Sequence, residues 1–334
     1  MLNIILKIFR FAVLPAFLLV PAAFADVLRD HDNGPLTGIY GIPDSTEGAH
    51  LLRKGEHAWD FSVTHASHSV DDLRSTESLY LDGETSRIEF RYRMGIGEKM
   101  ELGIELPYVR HQAGGLDSVI DSWHDIFGLP SRHRPGRAQD ILDFRYSDAA
   151  DMSITVDRNS SGIDDARLFG GWRLLSSEKH QLALRFGAKF PTGNSSELHG
   201  SGGTDLSLGI AGDVTSLFDI PRLNGFYRVH AIHIGEPDLL ANRYEEWVSF
   251  ISTGIGLQVS ERVELRLQGA SRSAMYQSEI RSLGGSATTV TFGGNIRLFR
   301  NYELSLGISE DADVETAPDV AFQVALRYRD IKGQ

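Results

Sequence analysis

From residue 55 almost to the C-terminus, apolar and polar side chains alternate with a period of two. That period belongs to β-strands whose two faces meet different surroundings. Ile88, Phe90, Tyr92, Met94 and Ile96 share one face, and Arg87, Glu89, Arg91 and Arg93 share the other. Met100, Leu102, Ile104, Leu106 and Tyr108 alternate in the same way with Glu101 and Glu105. Leu182, Leu184, Phe186, Ala188 and Phe190 alternate with Arg185 and Lys189, and Val263, Leu265 and Leu267 with Glu264 and Arg266. Twelve such segments are predicted, roughly 56–68, 86–97, 99–112, 164–175, 180–191, 203–216, 224–234, 245–259, 262–275, 285–299, 301–310 and 318–329. Most exceed the usual soluble strand of about 5–6 residues. They match the ~9–11 residues that a tilted strand needs to cross a bilayer.

The connections alternate in length. Gly97–Lys99, Ser176–Lys179, Ser260–Glu261 and Arg300 are short, whereas 69–85, 113–163, 192–202, 235–244, 276–284 and 311–317 are long. Short turns at one end and long loops at the other mark an outer-membrane barrel. An even strand count then puts both termini on the short-turn, periplasmic side. Trp59, Trp172, Phe299, Tyr302 and Tyr328 fall near the short-turn ends of the apolar face, and Tyr108, Phe190 and Trp247 near the long-loop ends. Two aromatic girdles are expected from that placement. A soluble all-β sandwich is the rival, but no clear second sheet exists to cover so many half-apolar strands. The expected fold is therefore all-β: a transmembrane antiparallel up-and-down barrel of about twelve strands over 55–330.

Two regions break the alternation. Residues 26–54 are turn-rich and aperiodic, and read as an extended periplasmic segment or one folded partly into the barrel mouth. Residues 113–163 form a long loop, and loops of that size are usually functional. Within it Leu116, Val119, Ile120, Trp123, Ile126 and Phe127 recur at helical spacing, with Gly128 and Pro130 as a stop. One short amphipathic helix is expected there. The basic stretch Arg132, His133, Arg134 and Arg137 follows, and then a small hairpin turning at Asp148–Asp151.

Residues 1–25 carry Lys7 and Arg10, an apolar run from Phe11 to Val20, and Ala23 and Ala25 around Phe24. This is the layout of a cleaved secretory signal peptide, and it implies export. The formal net charge of −12 becomes −14 without that piece, which holds two basic and no acidic residues. Such a balance argues against a nucleic-acid surface. The chain has no cysteine, which removes disulfides, thiolate metal sites and cysteine nucleophiles.

Three stretches carry a resemblance: GGLDSVIDSWHDIFGLPSRHRPGR (114–137), SGIDDARLFGGWRL (161–174) and KFPTGNSSELHGSGGTDLSLG (189–209). With them the chain resembles an uncharacterised outer-membrane β-barrel family of Gram-negative bacteria, known only as a domain of unknown function. The resemblance implies fold and location, and brings no catalytic residues. Many barrels end on a C-terminal aromatic that the assembly machinery reads, whereas here six residues follow Tyr328.

Chemistry should sit on the polar face. Inward positions are Arg87, Glu89, Arg91, Arg93, Glu101, Glu105, Arg167, Arg173, Arg185, Lys189, Arg228, Glu264, Arg266, Glu303, Arg327 and Arg329, eleven basic against five acidic. A lumen of that sign predicts a conduit that prefers anions, unless the charges close into a network that fills the barrel. The acids of the chain should then concentrate in loops. The helical loop, with Trp123, His124, Phe127, Arg132, Arg134 and Arg137, is expected to act as a lid or plug.

The leading function is passive passage of small polar or anionic solutes. The alternatives are a non-conducting barrel for envelope structure or surface interaction, and a lipid-modifying enzyme, since some twelve-stranded outer-membrane barrels are phospholipases or lipid A deacylases. For the enzyme the candidates are His65, Ser67, His68, Ser69 and Asp71, and His199 with Ser201. The acidic clusters Asp71–Asp72 and Glu310, Asp311 and Asp313 read as solvated loop charge rather than calcium ligands. No cofactor or metal is expected. Expected partners are outer-membrane lipids and lipopolysaccharide, the barrel-assembly machinery and a small polar solute.

Overall fold

The computed structural model describes residues 27–115, 141–312 and 320–330. Residues 1–25, expected as a signal peptide, the stretch expected as a helix and the six residues expected in a lid, Trp123 to Arg137, lie outside the described residues.

One sheet is built from β1 (His57–Leu73), β2 (Glu77–Ile96), β3 (Met100–Gln112), β4 (Asp143–Asp148), β5 (Ser153–Val156), β6 (Ser160–Ile163), β7 (Ala166–Ser176), β8 (His180–Phe190), β9 (Asp205–Val214), β10 (Leu223–His233), β11 (Trp247–Gln258), β12 (Val263–Arg272), β13 (Ala287–Phe299), β14 (Tyr302–Asp311) and β15 (Val320–Arg329). Leaving out β4, β5 and β6, each strand pairs antiparallel with its neighbour in sequence. The wall closes where β1 meets β15, from Ala58↔Arg329 to Ser67↔Val320. The result is a closed barrel of twelve strands, and closure leaves no unpaired edge in the wall.

Alternation sets the two faces. On β9, Asp205, Ser207 and Ala211 are buried inside, while Leu206, Leu208 and Ile210 are exposed outside. Phe61, Val63, Phe90, Leu106, Leu168, Val229, Ile251, Leu267, Phe292 and Val324 continue the exposed apolar belt around the wall. So continuous an apolar exterior is stable only against lipid. At the short-turn end Trp59 contacts Tyr302 and Tyr328, with ring centroids 6.2 and 5.8 Å away, and Phe299 lies 6.3 Å from Tyr302. These are girdle residues expected from the sequence.

The span 69–85, expected as a loop, is strand instead. β1 and β2 pair out to Leu73↔Ser78 and stand beyond the apolar belt. Their alternation is inverted there: Leu79 and Leu81, at the parity of inward Arg87 and Glu89, face the apolar core, and Ser78 and Tyr80 face out, with β4 alongside β2 from Glu77↔Asp148 to Asp82↔Asp143. Gly83 (φ 145°) sits where the inner faces of Leu142 and Phe144 press on β2, a backbone setting that favours glycine. The hairpin β4–β5 turns through Asp151 (φ 62°), at the expected place. A short helix, α1 (Arg281–Gly284), lies in the loop before β13. Phe144, Tyr146, Leu79, Leu81, Ile232, Ile234, Phe250, Met275, Ile280 and Leu283 form an apolar core at the long-loop end.

Candidate functional site

Residues 27–54 do not lie outside the barrel: they run through its lumen. The expectation of a periplasmic segment, or one only partly in the mouth, is corrected by their burial. Leu28, Arg29, Leu36, Tyr40, Asp44, Ser45, Glu47, Ala49, Leu51 and Leu52 are all buried. The segment enters near the short-turn end, where Arg327 Nη2 donates to Val27 O at 2.7 Å. Two glutamines then act as a surrogate strand edge. Gln268 brackets Leu28 by accepting from its N–H (3.2 Å) and donating to its carbonyl (2.9 Å). Gln323 does the same for Arg29, at 3.0 and 2.8 Å. A segment without secondary structure must satisfy its buried backbone in this way.

The chain rises to a turn at 34–38, closed by Gly38 N–H on Gly34 O (2.7 Å) and by Asp32 Oδ1, which accepts from Gly34 N–H and Thr37 Oγ1. Leu36, Ile39, Tyr40 and Ile42 join the apolar core at the long-loop end. The return leg is held by wall acids. Asp205 accepts from Gly41 N–H (2.8 Å), Asp213 from Ala49 N–H (2.7 Å) and Glu101 from Leu52 N–H (2.9 Å). Gly95 admits the departing chain: a Cβ there would meet Arg53 O at 1.9 Å.

Charge locks the segment in place. Arg29 pairs with Asp44 (2.9 Å), Asp60 (2.5 Å) and Glu89 (2.9 Å). Arg91 pairs with Asp44 (3.0 Å) and Glu105 (2.5 Å). Glu47 pairs with Arg167. Within the wall, Arg87 pairs with Asp164 (2.5 Å), Arg185 with Glu101 (2.7 Å), Lys189 with Asp165 (2.6 Å) and Asp205 (3.2 Å), Arg228 with Asp213 (2.6 Å), and Arg266 with Glu264 (2.6 Å). Arg93 reaches Glu101 at 3.6 Å, and Arg327 reaches Glu303 at 3.4 Å. Arg173 is half-buried at the short-turn rim and donates to the carbonyls of Glu98 and Leu51. Buried pairs add little net stability over apolar packing, but losing one partner costs about 3–5 kcal/mol. The network therefore fixes where the segment sits.

Fifteen of the sixteen expected lumen residues make these inward contacts, and Arg329 shares the parity of inward Arg327 on β15. The acids that balance them do not sit mainly in loops. Asp44 and Glu47 come from the segment, Asp60, Asp205 and Asp213 from the wall itself, and Asp164 and Asp165 from its edge at β7. The imbalance of eleven to five was the signal that an acidic partner had to enter the lumen.

Three buried histidines, His68, His111 and His199, meet near the long-loop end. Thr85 Oγ1 bridges His68 Nε2 (2.9 Å) and His111 Nδ1 (3.0 Å), and the rings of His111 and His199 stack at 5.4 Å. Ser201 serves Lys189, not His199, whose Nε2 lies 3.2 Å from Ser160 Oγ. His65 is held by Ser86 and Glu84, which the sequence reading did not single out. No group of three or more His, Asp or Glu suited to a metal ion occurs among the described residues.

His199, in the loop between β8 and β9, is buried, and that burial lowers its pKa from 6.5 despite Glu197 and Asp164 nearby. A lowered histidine favours the neutral ring in the folded loop, so the unfolded loop binds more protons in acid. The stability this gives is complete above about pH 6.5 and falls with pH. Hydrogen exchange in 191–204, corrected for intrinsic rate, should therefore rise from pH 8 to pH 5. Equal protection across that range would refute the assignment.

No curated protein matches the chain by sequence. Among solved structures it is similar to the COG4313 outer membrane channel from Pseudomonas putida F1, with TM-score 0.54 and 12% identity over 85% of this chain and 97% of the other. The NanC porin gives TM-score 0.45 and 7% identity over 81% and 98%. The translocator domain of the autotransporter NalP from Neisseria meningitidis gives 0.44 and 11% over 83% and 89%. At such identities the first likeness speaks for the barrel fold and nothing finer. A family model spans residues 8–329, so this twelve-stranded barrel belongs to the family described as protein of unknown function (DUF3187).

Proposed function

We propose that the protein is an outer-membrane channel for small anionic solutes, closed from within by its own N-terminal segment. The observation that carries this reading is the way Arg29, Asp44 and Glu47 pair with the charged side chains of a lumen wall in which basic groups hold a modest excess over acidic ones. Besides the apolar side chains that join the core at the long-loop end, the segment carries charges paired with the wall, for which ions in the lumen can compete.

Room for a solute anion is suggested by unused donors. Arg185 Nε and Nη2, Arg167 Nε and both ring nitrogens of His230 are buried without hydrogen-bond partners among the described residues. His230 and Arg185 flank Gly209 in the same row of the wall. A solute carboxylate or phosphate would accept from the guanidinium N–H groups and from whichever His230 nitrogen carries the proton, where Glu47 now satisfies Arg167 alone. The short-turn end, where both legs of the segment emerge, faces the periplasm in this reading, so the closing element is reached from inside the cell envelope.

The test is the reversal potential of the chain from Asp26 onward, refolded into a planar bilayer under a potassium chloride gradient. Brief openings that reverse on the chloride side are expected. Cation-selective openings would overturn the reading. The buried segment also favours a second reading, a closed structural barrel, and silence even after removal of the segment would establish it.

A further inference from the structure

On the outer face, at the long-loop end of the apolar belt, three polar side chains of β1 and β2 meet. Imidazole Nδ1 of His65 on β1 lies 2.8 Å from Ser86 Oγ on β2. Its Nε2 lies 2.8 Å from Glu84 Oε2. Glu84 is oriented in turn: Gly115 N–H donates to Oε1 at 2.8 Å, and the Gln112 amide reaches Oε2 at 3.5 Å. A hydroxyl, an imidazole and a held carboxylate are thus joined in series, the arrangement that activates a serine for acyl transfer. Either imidazole nitrogen can act as the base, provided the other faces the acid.

The register explains why they meet. His65 and Ser86 are direct cross-strand partners, and Glu84 lies two residues further along β2, on the same face. Neither His65 nor Ser86 is shut away: both are half-buried, while Glu84 is buried. A reactive pair in reach of substrate beside a buried acid is the order that catalysis needs.

Depth gives the substrate. Outward along β2 run Ile96, Met94, Tyr92, Phe90 and Ile88, and Ser86 is the first polar outward residue after them. Next to Ile88 on β3 stands Tyr108, and next to Ser86 stands the exposed Arg110. The trio therefore lies at the rim of the apolar belt, on the long-loop side. In a bilayer that level holds the ester linkages between acyl chains and headgroups, and Arg110 is placed for an anionic headgroup or for the charge that develops on an ester oxygen.

We propose that Ser86, His65 and Glu84 form a lipid-facing esterase site that cleaves acyl esters of membrane lipids. Ser86 Oγ bonds to the ester carbonyl carbon as its proton passes to His65. The bond from that carbon to the alcohol oxygen breaks, and the alcohol leaves with the proton from His65. Water, deprotonated by His65, then attacks the carbonyl carbon of the acyl-serine, the bond from that carbon to Ser86 Oγ breaks, and His65 returns the proton to Oγ as the fatty acid leaves. The net change is ester plus water to fatty acid plus alcohol, with no redox partner. Glu84 positions the ring and stabilises its charged form.

The experiment uses the chain from Asp26 onward in mixed micelles with dioleoylphosphatidylethanolamine, and follows oleate release. A long-chain alkyl fluorophosphonate is added in parallel and the labelled residue is located by mass spectrometry. Release with labelling at Ser86 is expected. Ser86→Ala should abolish both, and His65→Gln should lower release by about 10³-fold or more. Glu84→Gln should lower the turnover number with little change in KM. The heat-dependent gel mobility of the folded barrel shows that each variant is intact. Release that persists in Ser86→Ala overturns the assignment. Labelling at Ser86 without oleate release overturns the lipid ester as substrate, and neither label nor release overturns the site. None of these outcomes depends on ion flux.

Discussion

Removing residues 27–50 should convert a mostly silent barrel into a steadily open pore. The deleted stretch holds the turn at 34–38 and the acids Asp44 and Glu47, and leaves the wall's own hydrogen bonds untouched. Twelve strands enclose more room than the ~8 whose side chains alone fill a barrel. Once Asp44 and Glu47 leave, Arg29 goes with them, and Arg91 and Arg167 lose carboxylate partners and face the aqueous lumen. Anion selectivity should therefore rise together with conductance. A smaller change should act in the same direction. Arg29→Gln removes a cation shared by Asp44, Asp60 and Glu89, which crowds three carboxylates. Breaking such a buried set costs about 3–5 kcal/mol, enough to shift the segment toward an undocked state. Single-channel records should show openings far more often in Arg29→Gln than in the parent chain. If the deletion conducts no better than the parent, the segment is not what closes the lumen.

The wall was legible because each strand has one face in lipid and one in a polar interior. Ile88 to Ile96 and Leu206 to Ile210 announce this without any knowledge of their partners. The path of residues 27–54 was not legible, because a chain that borrows hydrogen bonds from Gln268, Gln323 and Asp213 needs no periodicity of its own. Only its acids betrayed it, against the surplus of inward arginines. Asp60, Asp205 and Asp213 could have been read inward by parity, but they stand near strand ends, where alternation is hardest to separate from loop.

The outward trio shows the other limit. His65 was visible as a candidate, but its partners depend on register across a hairpin. The strand signal changes sense between 69 and 85, where β1 and β2 leave the apolar belt and Leu79 and Leu81 turn an apolar face inward. With the turn at 74–76 unlocated, nothing in the sequence could pair 65 with 86. The serines nearest in sequence, Ser67 and Ser69, were the natural but mistaken partners, since cross-strand neighbours lie closer than residues two apart on one strand.

Placing arginine on the outer wall should cost far more than placing it in a turn. Leu208 is 56% exposed, and it lies midway along β9 between Leu206 and Ile210 on the same face. If that face meets acyl chains, Leu208→Arg buries a guanidinium near the bilayer midplane, at a cost of about 2–4 kcal/mol. Were the barrel surrounded by water, the same substitution would be neutral or mildly stabilising. Glu178→Arg is the control. It lies in the exposed turn between β7 and β8 and should change stability by less than about 0.5 kcal/mol. Reversible urea-dependent folding into phosphatidylcholine vesicles measures both. A penalty for Leu208→Arg no larger than for Glu178→Arg would mean that this face does not lie in the hydrocarbon. It would also remove the basis for assigning depth to Ser86, because the apolar belt that ends at Ile88 is continuous with the one that contains Leu208.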